Sequence, residues 1–346
     1  MSEAARLVIE QRLRAVADCL SRLRDELAHS GEGVHQLRVA SRRASAALLV
    51  FQPFVEPRAW RKARRRLRRM RRAAGEARAC DVQLGLLDGF RDEATDVEHK
   101  AIEHLTRRIR KTRWRARRRV IRVLDRFPAG RLRRWTENLG RAFRAEVAAD
   151  WVSVAGTSER NDVDRLTTLQ DVARVLLQRV LQPIARSPQP LSSDMDTLHD
   201  LRLAAKRLRY SCEVFRRCFG SDRWKDAQAQ TVSVQDRLGE INDLSDMAEF
   251  VQAAIVSREA KRASDSSDDI FDGLLRIHTR IKAGFEGHAD AFCRWWDEGG
   301  RESLLEAYRS LLNPSQTDQP TVVTVRSNAV NGRPAMAMNG DERPCA

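Results

Sequence analysis

The sequence predicts an all-α protein, and three observations favour that class. Alanine, leucine, arginine and glutamate dominate the composition, and all four are good helix formers. The chain has only two tyrosines, and its β-branched residues rarely alternate with polar ones as they do in strands. Hydrophobic residues make up 42% of the 346 residues, which is enough to build a core rich in leucine, valine and alanine.

Apolar periodicity predicts the helices in order along the chain. In a first unit, over residues 3–150, helices are expected at 3–29, 34–51, 58–74, 81–90 and 94–127. A polar connector follows at 151–166. In a second unit, over residues 167–311, they are expected at 167–186, 197–219, 223–238, 243–262, 267–287 and 289–311.

Glycine and polar residues predict where these helices end. Gly75 and Gly239 are interpreted as helix ends, and the polar residues after each are expected to cap the next helix. Asp81 or Asp243 could instead orient basic side chains. From 313 to 346 the composition shifts to Pro, Ser, Thr, Asn and Gly, which predicts a disordered tail.

The two units repeat each other at a fixed offset of 164 residues. Val34–Arg43 aligns with Leu198–Arg207 without a gap, and 11 of the 43 positions in 34–76 are identical at that offset. The same register matches Trp60 with Trp224. The sequence therefore predicts a duplication, with two bundles of about four helices each, related by a pseudo-twofold axis within one compact domain.

The aligned segments Val34–Arg43 and Leu198–Arg207 each lie on a predicted helix, which we call the motif helix. Each motif helix is amphipathic, with a cationic stripe opposite its apolar side. Stripe and flanking positions in the two copies are His35, Arg38, Arg42, Arg43, His199, Arg202, Lys206, Arg207, Arg209 and Tyr210. Like charges one turn apart repel, and these stripes contain almost no acid to offset the repulsion. A solvated charged face would explain either stripe alone, but their duplication favours an external anion.

Other basic runs add to the charge. Residues 58–72 and 107–122 each hold ten Arg or Lys and no acid. We expect Arg65, Arg66 and Arg69 to extend the surface of the first stripe. In 107–122 the apolar residues, Trp114 and Ile121 among them, are expected to form a packing side.

The net charge of the chain indicates the class of its partner. Lys and Arg outnumber Asp and Glu, so the formal net charge is +15 at pH 7. Such a charge favours binding to nucleic acid, to an anionic membrane surface or to another polyanion. No run of 18 apolar residues and no signal peptide is found, so we expect a cytoplasmic protein with no membrane partner. The six cysteines form no CxxC pair and are expected to pack as small hydrophobic residues.

His35 and His199 are expected in the first turn of their helices, where unpaired N–H groups and the helix dipole favour anions. No carboxylate or second histidine stands three or four residues on, which argues against a metal site. We expect no cofactor and no metal. A phospho-accepting histidine would need an orienting base that the sequence does not indicate.

These motifs resemble a known family. Leu198–Tyr210 together with Gln235–Asp243 resembles the CHAD domain, the conserved histidine α-helical domain, and Val34–Arg43 resembles its first half. The resemblance covers residues 3–311 and implies a stand-alone helical domain that binds inorganic polyphosphate, with association to polyphosphate granules. One position departs from the family pattern Arg-Asp-Leu-Asp, because Ala79 follows Arg78 here. No E-x-E-x-K motif is found, so no attached triphosphatase is implied.

Three functions follow as hypotheses. The first is non-enzymatic binding of polyphosphate through the basic residues above. The second is nucleic-acid binding, which the stripes disfavour because Tyr210 is their only aromatic residue. The third is a histidine-dependent phosphohydrolase, for which no P-loop or paired carboxylates are found. Oligomeric state and chain-length preference do not follow from the sequence.

Overall fold

The computed structural model describes residues 2–26, 32–143, 169–260 and 268–313, and these ranges are helical apart from short turns and one isolated bridge between Val55 and Phe143. The predicted connector at 151–166 and the tail beyond 313 lie outside them. The first repeat contributes α1 (Ser2–Glu26), α2 (Glu32–Val50), α3 (Pro57–Gly89), α4 (Asp96–Arg126) and α5 (Ala129–Gly140). The second contributes α6 (Leu169–Ala185), α7 (Met195–Val214), α8 (Ser221–Glu259), α9 (Asp269–Trp295) and α10 (Arg301–Leu312).

The all-α prediction is confirmed, but the predicted breaks at Gly75 and Gly239 are wrong. Gly75 lies inside α3 and Gly239 inside α8, and both helices continue without interruption. An interior glycine costs a helix only about 1 kcal/mol. The buried side chains on either side of each glycine contribute more than that through packing. The capping role expected for Asp81 and Asp243 is therefore excluded.

Other helix ends follow local chemistry. Thr95 and Glu98 form a capping box at the start of α4, and Phe127 and Pro128 end it. The sequence did not predict α5 as a separate helix. Predicted helices 267–287 and 289–311 instead meet in a π-helical turn, Trp296–Gly300, where Gly299 adopts φ 144°. That backbone conformation favours glycine, which has no Cβ.

Two hydrophobic clusters fill the interior, and each takes residues from both repeats. The larger joins α1, α2, the first half of α3 and the end of α4 to α6, α7, α10 and the first half of α8. The smaller joins the second half of α3 and the start of α4 to the second half of α8 and the start of α9. The two repeats therefore share their cores, and the division into two four-helix bundles remains a prediction.

Equivalent residues of the two repeats make equivalent contacts. Phe51 and Phe215, which are 164 residues apart, pack edge-to-face with ring centroids 5.9 Å apart. The indole Nε1 of Trp60 donates to the carbonyl oxygen of Leu48 at 2.8 Å, and that of Trp224 donates to the carbonyl oxygen of Cys212 at 3.3 Å. Self-contact of equivalent residues is expected near a twofold axis. These contacts support the predicted duplication.

The described residues offer no helix with the length and apolar character needed to cross a bilayer. Four of the cysteines, Cys19, Cys80, Cys212 and Cys293, are buried as small core residues, as the sequence predicted.

Candidate anion-binding groove

A groove of about 760 Å³ lies between α2, α3 and α7, bordered by Val180 of α6. Helices α2 and α7, the two motif helices, pack directly against each other. The hydrogen bond from Trp60 to Leu48 fixes α3 beside α2. The fold thus places the basic stripes of both repeats next to one face of α3.

The groove is strongly cationic. Of the described residues that line it, six are arginines, one is a lysine and none is acidic. These basic residues are Arg38, Arg42, Arg64, Arg68, Arg71, Lys206 and Arg207. Five predicted site residues, Arg38, Arg42, Lys206, Arg207 and Tyr210, are therefore brought together here.

Burial and mutual repulsion perturb these cations. Burial and, after it, the nearby positive charges of Arg202, Arg42 and Arg38 lower the pKa of Lys206 to about 7, while Asp243 opposes the shift. Burial likewise lowers the pKa of Arg38 to about 10, with Arg42 and Arg202 adding to the effect. The described lining of the groove therefore holds positive charge with no acidic residue among it.

Two carboxylates of the second repeat, Asp243 and Asp246, act on these cations. Asp243 interacts with Arg202, Arg38 and Lys206, and its own pKa is raised because burial outweighs their attraction. Arg202 donates to the Asn242 side chain, which in turn donates to Asp246 at 2.8 Å. Ala79 occupies the position equivalent to Asp243 in the first repeat. The departure from the family pattern thus leaves the first repeat's basic residues without that acid.

Tyr210 connects the two motif helices across the groove. Arg42 donates to the phenolic oxygen of Tyr210 at 3.0 Å, and its guanidinium lies 5.9 Å from the ring centroid. Ala46 is the equivalent of Tyr210 in the first repeat and also lines the groove. The smaller side chain leaves the first-repeat side of the groove more open.

Two predicted site residues are neutralised within the protein. Arg43 of α2 forms an ion pair with Glu213 of α7 at 2.5 Å, and Arg209 lies 3.4 Å from the same carboxylate. Arg209 also donates to Gln235 at 3.1 Å. Neither is among the groove-lining residues. Arg43 thus joins the two repeats, whereas Arg209 is held by residues of its own repeat.

The structure places the three arginines predicted on α3 outside the described lining of the groove. Arg66 lies over the rings of Phe127 and Trp135, at 6.0 and 5.4 Å from their centroids, on the side toward α4 and α5. Arg65 and Arg69 are exposed and are not among the described residues that line the groove. The groove face instead carries Arg64, Arg68 and Arg71, spaced i, i+4 and i+7.

Sequence reasoning missed these three arginines because the buried positions of α3, among them Ala63, Leu67 and Met70, have arginines on both flanks. Periodicity alone identifies the buried side but does not say which flank faces α2. Trp60, one turn before Arg64, is the signal that could have chosen between the flanks, because it repeats at position 224.

The two histidines lie outside the groove lining. His35 is half-buried, and its pKa is lowered by burial and then by Arg78, with smaller contributions from Arg38 and Arg42. His199 is exposed and is the fifth residue of α7, beyond its first turn. Asp194 already caps that helix by accepting from the Thr197 N–H at 2.9 Å. The expected place of His199 in the first turn is therefore wrong, and its contact with an anion stays a prediction.

Asp81 and the basic run 107–122 of α4 also differ from what the sequence predicted. Asp81 pairs with Arg113 at 2.6 Å, so it orients a basic side chain, which was the alternative considered. Trp114 and Ile121 were expected on the packing side of α4 and are instead 58% and 43% exposed. The packing side is formed by Ile109, Ala116 and Val120.

The chain belongs to the CHAD domain family, whose family model matches residues 7–252. Two solved structures have the same fold. The crystal structure of the CHAD domain from the plant Ricinus communis is 17% identical with a TM-score of 0.57, covering 90% of this chain and 92% of its own. PptA from Streptomyces chartreusis is 17% identical with a TM-score of 0.54, covering 89% and 99%. Among curated proteins no match was found.

Proposed function

We propose that this CHAD-domain protein binds inorganic polyphosphate, without hydrolysing it, in the groove between α2, α3 and α7. The observation that carries the proposal is the set of seven basic side chains in the groove with no acidic residue among its described lining. Burial, together with repulsion from Arg202, Arg42 and Arg38, lowers the pKa of Lys206 to about 7. A chain of phosphates would supply a negative charge to each cation in turn, and arginine can hold two phosphate oxygens at once.

The spacing of the cations favours a linear polyanion over a single small anion. Arg64 and Arg71 are seven residues apart on one helix, which is a rise of about 10 Å. One phosphate group cannot contact both ends of this row, whereas successive phosphates of a chain can. The family is linked to polyphosphate-related proteins, and association with polyphosphate granules remains part of the proposal.

The aromatic residues of the groove favour polyphosphate over nucleic acid at this site. Trp60 and Tyr210 line the groove, but an arginine lies over each ring, Arg64 at 5.2 Å and Arg42 at 5.9 Å. Both rings are also only partly exposed, whereas bases bind single-strand readers by stacking on well-exposed aromatic rings. A phosphate chain needs no such face and uses the guanidinium groups directly.

Binding without catalysis is proposed because the described lining residues include no carboxylate or histidine that could activate water against a phosphoanhydride. Incubation of the protein with polyphosphate and Mg²⁺ or Mn²⁺, followed by measurement of released phosphate, checks this. We expect no release above the protein-free control. Turnover that is abolished by His199→Ala would instead establish a histidine-dependent enzyme.

Two matched pairs of variants test the site. Arg64→Gln with Arg68→Gln removes two charges from the groove face of α3, and Arg65→Gln with Arg69→Gln removes two from its exposed face. In calorimetric titration with long-chain polyphosphate, the first pair should weaken binding at least tenfold. It should also reduce the slope of log affinity against log salt by about 1.4, since each phosphate contact contributes about 0.7.

The second pair should change affinity by less than about twofold, apart from the general effect of net charge. Equal weakening by both pairs would show that net charge, and not the groove, determines binding. A competition experiment checks selectivity. RNA at equal phosphate concentration should fail to displace polyphosphate, and displacement would favour a nucleic-acid groove.

A further inference from the structure

The exposed side of α4 forms a second basic surface. We define the α4 outer face as Arg107, Arg110, Lys111, Trp114, Arg115, Arg118, Ile121 and Arg122, all exposed. Spacings of three, four and seven residues place them on one arc of the helix. The row is about 22 Å long, enough to contact several successive phosphates. No residue of α4 is among the described residues that line the groove, so the two surfaces are separate.

The charges on this face are available to an external anion. The helix has no acidic residue between Glu103 and Asp125. Within the described ranges, none of the six cations of the α4 outer face takes part in an ion pair, whereas the neighbouring Arg113 and Arg119 pair with Asp81 and Glu76. The protein thus neutralises the basic residues at the edge of the face and leaves the centre charged.

Trp114 distinguishes this face from a merely solvated basic helix. Its side chain is 58% exposed, and cations flank it one turn away on both sides at Arg110, Lys111 and Arg118. Arg118 lies 4.7 Å from the ring centroid, which makes a stacked arginine–indole pair. Bases of single strands stack on aromatic rings and on guanidinium planes.

The face is rigid enough to present this pair. The opposite side of α4 is buried through Ala116, Val120 and Val123, and a capping box fixes its first turn. A preorganised surface loses little entropy when it binds.

We propose that the α4 outer face binds single-stranded nucleic acid, with its cations on the phosphates and an unpaired base stacked on Trp114. Inorganic polyphosphate matches the charge but has no base to cover the indole. A base and its phosphates together account for both features of the face. This site does not depend on the polyphosphate groove.

The test uses the full-length protein and a fluorescein-labelled oligoadenylate of about ten nucleotides, followed by anisotropy. Trp114→Ala should weaken binding about tenfold, since one stacked base is lost. Trp114→Phe should restore most of the affinity. Ile121→Ala is the matched control, because it removes the other exposed apolar side chain without removing a stacking surface.

The contribution of charge has its own matched pair. Arg110→Gln with Arg118→Gln should lower affinity and reduce the salt slope by about 1.4. Arg216→Gln with Arg217→Gln removes the same charge from exposed positions in the second repeat and should have little effect. The groove pair Arg64→Gln with Arg68→Gln should leave oligoadenylate binding unchanged, so a failure of the groove proposal is distinguishable from a failure of this one.

Three results would overturn the proposal. Unchanged affinity of Trp114→Ala for the oligoadenylate would show that the α4 outer face binds it by charge alone, without base stacking. Loss of binding to anionic phospholipid vesicles in both Trp114→Ala and Ile121→Ala, with oligoadenylate binding unchanged, would assign the face to a membrane surface. A lower unfolding temperature for Trp114→Ala would show that another part of the chain covers the indole.

Discussion

Lys206 is the groove residue whose pKa is lowered to about 7. It belongs to the second repeat, and its pKa is lowered by burial and then by arginines of both repeats, Arg202, Arg42 and Arg38. Arg42 is the residue of the first repeat that is equivalent to Lys206, so the duplication has placed two matching cations close together. A lysine whose pKa is about 7 changes its charge within the physiological range, which an arginine does not.

This lysine predicts a pH-dependent affinity for polyphosphate. Below pH 7 Lys206 is protonated in the free protein and attracts phosphate. Above pH 7 it is increasingly neutral, and binding must restore its proton, so a bound phosphate raises its pKa. The affinity should therefore fall as the pH rises from about 7 toward the higher pKa of the complex. Titrations between about pH 6 and pH 9 in buffers of constant ionic strength measure this.

Lys206→Arg is the matched control. Because arginine stays charged throughout, the affinity of this variant for polyphosphate should not change over that pH range. Burial, and after it the charge of Arg78, lowers the pKa of His35, which is opposite to the rise expected for Lys206 in the complex. The same slope in Lys206→Arg as in the parent protein would exclude Lys206 as its source.

At the scale of single elements, α3 and α8 show how tertiary packing overrides a local signal. Glycine followed by polar residues commonly ends a helix, and the sequence predicted such ends at Gly75 and Gly239. Both helices are long because they must contribute to two hydrophobic clusters in succession. Each glycine lies where a helix passes from the first cluster to the second.

Substitution of these glycines tests whether they are needed. A Cβ at Gly75 or Gly239 would meet no heavy atom within 4 Å, so alanine there should raise the free energy of unfolding by about 0.5–1 kcal/mol. At Gly273 of α9 a Cβ would collide with the carbonyl oxygen of Val97 and with Ala101, where α9 packs on α4. Gly273→Ala should therefore destabilise. Urea denaturation compares the three variants, and a loss of stability in Gly239→Ala would mean that the continuous helix is wrong.

For the molecule as a whole, the shared cores decide how it unfolds. Residues of both repeats occupy each hydrophobic cluster, and the Arg43–Glu213 ion pair joins α2 to α7. Neither repeat can lose its packing without exposing apolar surface of the other. The duplicated sequence thus forms one cooperative unit rather than two independent ones.

Calorimetry of the full chain should consequently show one transition, with the calorimetric and van't Hoff enthalpies equal. Phe51→Ala and Phe215→Ala truncate the two equivalent rings. Each should lower the midpoint temperature of that same transition, because each should reduce the free energy of unfolding by about 3–5 kcal/mol. Two separate transitions, each sensitive to only one of the phenylalanines, would show that the repeats unfold independently.

The sequence by itself determined the helical class, the duplication at 164 residues and the cationic stripes, because each depends on periodicity within one helix or on identity between two. It also identified Arg38, Arg42, Lys206, Arg207 and Tyr210, which line one groove.

Only the tertiary structure decided which flank of α3 faces that groove, so that Arg64 and Arg68 line it while Arg65 and Arg69 do not. It also decided that Arg43 is paired with Glu213 and that Trp114 is exposed. The physical reason is the same in each case. A helix of this chain has basic residues on both sides of its apolar stripe, and the neighbour that each side meets is set by packing between helices far apart in sequence.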